Sequence, residues 1–346
     1  MVKKRDFVIR VNGGAKKSAK RYRYSYSNTK GIILQLSSNS ATVSMAISSK
    51  KSASEFGMRG YQLYDDLLYK VRLAWLLSYG RVVSIEEVTV EVDSDGETVV
   101  FDGKKIGQGC PPLCASDFSG RIFLPAEWQS ERVMNEVLSI GRSRASHRMA
   151  TLNALVLAKM KTERSGASDI AERFSNSWTA LNGYYNYIVS RARPGKKLYD
   201  REKMGICLRL HNLGNCSVME KHQAKLARTA IQAIEGTRCL QDQLPLGSEK
   251  RLEAFSQTLK KFEAEDGTCP YEDLTLYGYL LFCLPYYFRC QLLHGTKPLP
   301  LFVYETDERV WCLPLLSDLI EVFLDENLWR LFDGDELDAI DQKLLS

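Results

Sequence analysis

The sequence predicts an α+β N-terminal domain, an antiparallel sheet with one covering helix, over residues 1–126, followed by an all-α helical bundle over 127–346. Three observations predict it. Period-two alternation dominates from the N-terminus, as strands with one buried face require, and a sheet with its covering helix accounts for residues 1–105. Chain breakers gather at 103–126, where Gly103, Gly107, Gly109, Pro111, Pro112 and Gly120 make a linker or connecting loop. Beyond Pro125 the spacing of apolar residues becomes helical.

In the N-terminal part, Tyr22, Tyr24 and Tyr26 alternate with Arg21, Arg23, Ser25 and Ser27. Val43, Met45 and Ile47 alternate with Thr42, Ser44 and Ser48, and Val88, Val90 and Val92 with Glu87, Thr89, Glu91 and Asp93. Successive side chains of a strand point to opposite faces, so each run presents one apolar face to a cover. Asp95-Gly96 is a favoured hairpin turn and leads into a return strand near Thr98 to Phe101. The cover is expected between these runs: Tyr61, Tyr64, Leu68, Val71 and Trp75 form an apolar stripe on a helix over 55–79.

Further along, helices are predicted near 127–161, 168–192, 217–235, 248–264, 271–294 and 312–331, joined by short Gly- or Pro-containing breaks. Helices joined by short connections make a bundle, and no repeat at solenoid spacing occurs.

At 346 residues, 45% hydrophobic and 26% charged, the chain is long enough for two cores and too apolar for a disordered chain. No apolar run reaches the roughly 18 residues of a membrane span. Met1 to Asp6 lacks the apolar stretch of a secretory signal, so a cytoplasmic protein without membrane association is expected. The nine Cys show no repeated pair motif and read as free thiols in a reducing compartment. Cys110 and Cys114 have the look of half a zinc site, yet no second Cys/His pair of suitable spacing follows; no metal or other cofactor is expected.

The net charge of +5 averages two opposed regions. Residues 1–50 hold eleven Lys/Arg against Asp6 alone, whereas residues 303–346 hold twelve acids against Arg309, Arg330 and Lys343. A basic end points to a polyanion partner, because phosphate neutralisation supplies most sequence-independent affinity for nucleic acid. Lys16, Lys17, Lys20, Arg21 and Arg23, interleaved with tyrosines, are the candidate nucleic-acid contacts. The same alternation also fits an ordinary cationic strand with its tyrosines buried, and both readings stay open.

His147, His211 and His222 are isolated from one another and read as structural or surface histidines. His294 differs. The segment from Tyr277 to Phe288 is very apolar, and Arg289 interrupts it with a charge that needs a partner or solvent. Gly295 suits the position that stops a helix, leaving His294 in the last turn, where the helix dipole favours imidazolium. Residues five apart subtend roughly 140° on a regular helix, so Arg289 and His294 face one point only if the helix ends or a second subunit completes the site. Pro285 removes a backbone donor and predicts a kink or restart, which either aims Arg289 or is tolerated for packing. By spacing alone, a snorkelling Arg and a capping His are the better reading, because Arg-x4-His occurs often by chance.

The stretch Arg289-Cys290-Gln291-Leu292-Leu293-His294-Gly295-Thr296-Lys297, after Tyr286-Tyr287-Phe288, resembles the Arg-x4-6-His signature of HEPN-domain ribonucleases. Upstream, Arg173 to Tyr185, with Trp178, Ala180, Asn182 and Tyr185 in order, is similar to a Trp-x-Ala-x-Asn-x-x-Tyr segment on an early helix of many bacterial HEPN proteins. The resemblance covers residues 127–346 and none of the N-terminal domain.

It implies a metal-independent endoribonuclease of the toxin or antiviral-defence type, working as a homodimer in which two motifs meet in a composite cleft. Arg289 and His294 are then catalytic, with Gln291, Lys297 and Asn182 in support. His294 would act as the base on a ribose 2′-OH or the acid for the leaving 5′-oxygen, and Arg289 would stabilise the phosphorane charge. RNA is the expected substrate, with higher oligomers and an activating ligand or protein left open.

Two positions depart from the family pattern. Cys290 stands where many members carry a polar residue, which leaves any orienting hydrogen bond to Gln291, and Thr296 replaces the tyrosine of nucleotidylated toxins. The competing class is a non-catalytic nucleic-acid-binding or assembly module built on a HEPN-like dimer.

Overall fold

A computed structural model describes residues 5–14, 24–27, 32–36, 40–49, 76–77, 80, 84–92, 98–102, 124–140, 147–161, 167–192, 195, 197–211, 281–282, 285–286, 288–289 and 312–345. The chain divides into two compact units. The first comprises Met1–Met149 with Phe332–Gly334, and the second Ala150–Leu331 with Asp335–Ser346.

The first unit is built on a six-stranded antiparallel sheet of β1 (Arg5–Gly14), β2 (Tyr24–Ser27), β3 (Ile32–Leu36), β4 (Ser40–Ser49), β5 (Ser84–Val92) and β6 (Thr98–Asp102). Their order across the sheet is β2-β3-β4-β1-β5-β6. The register sets like against like. Ile9 of β1 lies between Met45 of β4 and Val90 of β5, and Val90 lies opposite Val99 of β6. On the other side of β4, Met45 pairs with Ile32, Val43 with Leu34, and Leu34 in turn with Tyr26. One face of the sheet is therefore a continuous apolar register running from Tyr26 to Val99. A one-residue slip would move that whole set to the other face, so the pattern fixes the pairing. Thr89, on the opposite face of β5, is buried. A bulge in β5 at Glu86, opposite the step from Asn12 to Gly13 of β1, shifts the pairing of the two strands.

The same unit holds a 3-10 turn at Ala126–Gln129 and the helix α1 (Glu131–Ser139). Ser130 caps α1 by accepting the Val133 N–H at 3.3 Å. Trp128 is fully buried and packs on Phe332, whose ring also carries the Arg148 guanidinium at 5.7 Å.

Helices make up the second unit: α2 (His147–Lys161, which begins in the first unit), α3 (Ala167–Ala192), α4 (Asp200–His211), α5 (Cys312–Asn327) and α6 (Gly334–Leu345). The 26-residue α3 is its axis and packs against α4 and α5. Its buried positions Phe174, Trp178, Leu181, Tyr185 and Ile188 recur every three or four residues, while Tyr184 turns toward Phe323 of α5, edge to face at 5.7 Å. At Gly183 an added Cβ would overlap Thr151 Oγ1, so glycine is what lets α2 and α3 approach there.

Several expectations change. The helix expected over 127–161 is two helices, because Ile140 after α1 is extended. The segment over 312–331 is α-helical only to Asn327 and tightens into a 3-10 turn over Leu328–Phe332. The helices α4 and α6 lie where none was expected. Both open on acids, Asp200 and Glu202 in one and Asp335 and Glu336 in the other, the charge that suits a helix N-terminus. The expected helices over 217–235 and 248–264 lie outside the described residues, as does most of those over 55–79 and 271–294, and Leu76 and Leu77 of the former are helical and buried. Among the described residues, no helix is long and apolar enough to cross a membrane.

Candidate functional site

The aromatic face of α3 positions the segment that carries Arg289. Phe174 meets Phe288 edge-on at 6.5 Å, Trp178 meets Tyr286 at 6.0 Å, and Tyr185 meets Phe282 at 6.0 Å. Trp178 and Tyr185 are also in edge contact with each other at 6.4 Å. Three aromatic positions of α3 thus interlock with three of the 282–288 stretch. Leu281 and Phe282 lie in a wide π-type turn, while Pro285, Tyr286, Phe288 and Arg289 have α-helical backbone. Such irregular turns frequently sit at functional sites, and Pro285 has no N–H to continue the helical ladder. Phe288 is buried and Arg289 half-buried, so the chain reaches the surface between these two residues.

Tyr185 reports what surrounds Arg289. Burial pushes its phenol far above the ordinary tyrosine range, the Asp200 carboxylate pushes it further, and the Arg289 guanidinium opposes both. The hydroxyl therefore stays protonated and lies in the field of an α4 carboxylate and an Arg289 cation. It has no hydrogen-bond partner, and neither has the buried indole N–H of Trp178. A buried donor without an acceptor is costly, which makes two of them on one helix face unusual.

Asn182, half-buried one turn beyond Trp178, belongs to a polar chain. Asn186 donates to the Asn182 carbonyl at 2.9 Å and also to its Oδ1, while Lys203 Nζ of α4 donates to Asn186 Oδ1 at 2.7 Å. Lys203 lies 3.6 Å from Asp200. The chain ties α3 to α4 and ends at the Asp200 carboxylate that acts on Tyr185.

A second polar cluster joins α3 to α5. Arg173 forms a two-point fork on Glu321, with Nε to Oε1 at 2.9 Å and a terminal nitrogen to Oε2 at 2.8 Å, and also reaches Asp318 at 2.7 Å. Ser177 donates to Glu321 Oε1 at 2.9 Å. Burial works against the Arg173 charge, but the hydrogen bonds and attraction of Glu321 and Asp318 outweigh it and hold the group more firmly protonated than usual. One turn on, Lys159 of α2 pairs with Asp325 at 2.6 Å. Burial nevertheless raises the Asp325 carboxyl to about 6, against the pull of Lys159 and with a push from Glu321 and Glu326. Sequence reasoning missed this cluster. Its signal was present in the charges at Arg173 and Glu321, which interrupt otherwise apolar helix stripes.

His294, Gln291 and Lys297 lie outside the described residues, as do Lys16, Lys17, Lys20, Arg21 and Arg23. Of the site residues expected from sequence, Arg289 and Asn182 are described, and both belong to the surroundings of the Trp178–Tyr185 face. Among the described residues no cluster of His, Cys, Asp or Glu suited to a metal occurs. No family model, curated protein or solved structure matches this chain.

Proposed function

We propose that this chain is a metal-independent endoribonuclease of the HEPN type, an effector of toxin or defence systems acting as a homodimer. The observation that carries the reading is the place of Arg289: half-buried, directly after buried Phe288, in a segment interlocked with the Trp178 and Tyr185 face, and five residues before His294. A guanidinium in such a place offers a planar fork to a phosphodiester while its stem is held by packing.

In the proposed reaction His294 takes the proton of a ribose 2′-OH. The 2′-oxygen then forms a bond to the adjacent phosphorus, and the bond from phosphorus to the 5′-oxygen breaks. A second acid, the other protomer's motif histidine or water, protonates the leaving 5′-oxygen. Arg289 stabilises the extra negative charge on the phosphorane. The products are a 2′,3′-cyclic phosphate and a 5′-OH, and DNA is inert because it has no 2′-OH.

Incubation of the purified chain with single-stranded RNA in EDTA tests this reading. Cleavage to cyclic-phosphate ends that disappears in Arg289→Ala and His294→Ala is expected. Cleavage unchanged in both variants overturns it. Salt-dependent binding without cleavage, lost on charge reversal at Lys16, Lys17, Lys20 and Arg21, would instead favour a non-catalytic nucleic-acid-binding or assembly module.

A further inference from the structure

Two buried donors on α3 have no acceptor: the Tyr185 hydroxyl, with 0% of the residue exposed, and the Trp178 indole N–H, with 3%. At Tyr185 folding alone does not explain the hydroxyl, because phenylalanine would fill that site without an orphaned donor. Both residues border Tyr286: its ring meets that of Trp178, and its hydroxyl is among the groups acting on Tyr185. Tyr286 is half-buried and lies three residues before Arg289, on the same helical face. It directly follows Pro285, which has no N–H to donate, and the wide turn at Leu281 and Phe282 precedes both. The two buried donors lie beside Tyr286, and Arg289 is close enough to act on the Tyr185 hydroxyl.

We propose that the Tyr185 hydroxyl and the Trp178 N–H form a paired donor subsite for a phosphodiester oxygen of the strand gripped by Arg289, reached when the Tyr286 ring swings aside. The chemistry selects such a ligand. An indole N–H only donates, and a phenol kept protonated by burial and by Asp200 donates as well. Two donors beside a guanidinium call for an acceptor-rich anion. The Asp200 carboxylate opposes an anion but is partly offset by Lys203, 3.6 Å away, so the balance favours a singly charged diester over a dianionic phosphate monoester. The proposal rests on the nuclease reading for the identity of the strand. It adds that α3 takes part in holding the strand and that empty donors in the unliganded fold are its mark.

The test measures binding of a 2′-O-methyl RNA strand, which cannot be cleaved, by fluorescence anisotropy, together with thermal melting and cleavage of ordinary RNA. Tyr185→Phe removes only the hydroxyl. The expected result is binding weaker by about 10-fold or more, with a melting temperature equal to or above that of the parent chain. Unchanged affinity overturns the proposal, and so does a joint fall of affinity and melting temperature, which would make the hydroxyl structural. A parent chain that does not bind the strand also overturns it. If the parent chain binds the strand but cleaves no RNA, the nuclease reading falls, while the subsite is still judged by Tyr185→Phe. If RNA is cleaved and Tyr185→Phe binds normally, the subsite falls and the nuclease reading stands.

Discussion

Arg173 and Glu321, 148 positions apart in the chain, form a two-point ion pair between α3 and α5, with 8% and 5% of the respective residues exposed. The geometry is what a buried pair requires: both carboxylate oxygens are engaged by the guanidinium, and Ser177 supplies a further donor. Removing one partner leaves the other charge buried. Glu321→Ala should therefore destabilise the helical unit by about 3–5 kcal/mol, read as a shift of the urea midpoint. Replacing both partners with apolar side chains, Arg173→Met with Glu321→Leu, should recover most of that loss. A single variant that melts like the parent chain would show that the charge finds water instead.

Asp325 makes the stability of the same seam depend on pH with an unusual sign. Its carboxyl is raised in the fold from an ordinary 3.8 to about 6, chiefly by burial. Between those values the folded chain binds more protons than the unfolded one, so this group's contribution to stability falls as pH rises through the window and is least favourable above it. Most paired carboxylates behave in the opposite way. Comparing the parent chain with Asp325→Asn from pH 4 to pH 7, the parent should lose about 2 kcal/mol relative to the variant as pH increases. A flat difference, or one of opposite slope, would show that Lys159 compensates the burial.

Gly183 faces Thr151 where α2 and α3 cross. Alanine usually stabilises a helix interior by roughly 1 kcal/mol over glycine, but here its Cβ would overlap the Thr151 hydroxyl. Thr151 is buried and its short β-branched side chain has little room to turn away. Gly183→Ala should thus be destabilising by about 1–3 kcal/mol, and adding Thr151→Ala should restore stability to the parent level or above. Calorimetric melting of the two variants decides the matter.

Periodicity made some of these elements legible and left others hidden, for definite reasons. The alternation at Val88, Val90 and Val92 is the register of β5, and Thr98 to Phe101 lies within β6, because an apolar face with period two has one stable pairing. The segment expected over 168–192 is α3 almost to the residue, since its buried stripe recurs over seven turns. The helix α4 stayed hidden because its stripe is short and broken by polar residues, so its acidic first turn was the better signal. At the candidate site, a local motif is what singled out Arg289 and Asn182. The partners of Asn186, Arg173 and Tyr185 were not: they come from α4, α5 and the 281–289 segment, and no local spacing encodes a contact across 148 positions.

The proposed chemistry makes a sharper demand on Arg289 than on charge alone. Lysine keeps the positive charge but replaces a planar fork with a single ammonium, which cannot hold two phosphorane oxygens at once. If Arg289 acts mainly in the transition state, Arg289→Lys should lower kcat by about 100-fold while the affinity for a 2′-O-methyl RNA strand changes by less than about threefold. If it acts mainly by attracting the strand, lysine should leave kcat nearly intact, and Arg289→Ala should show its loss in KM, largest at low salt. Single-turnover cleavage measured beside anisotropy separates the two. The second pattern would move the catalytic assignment away from Arg289 and leave it as a strand contact beside Tyr286.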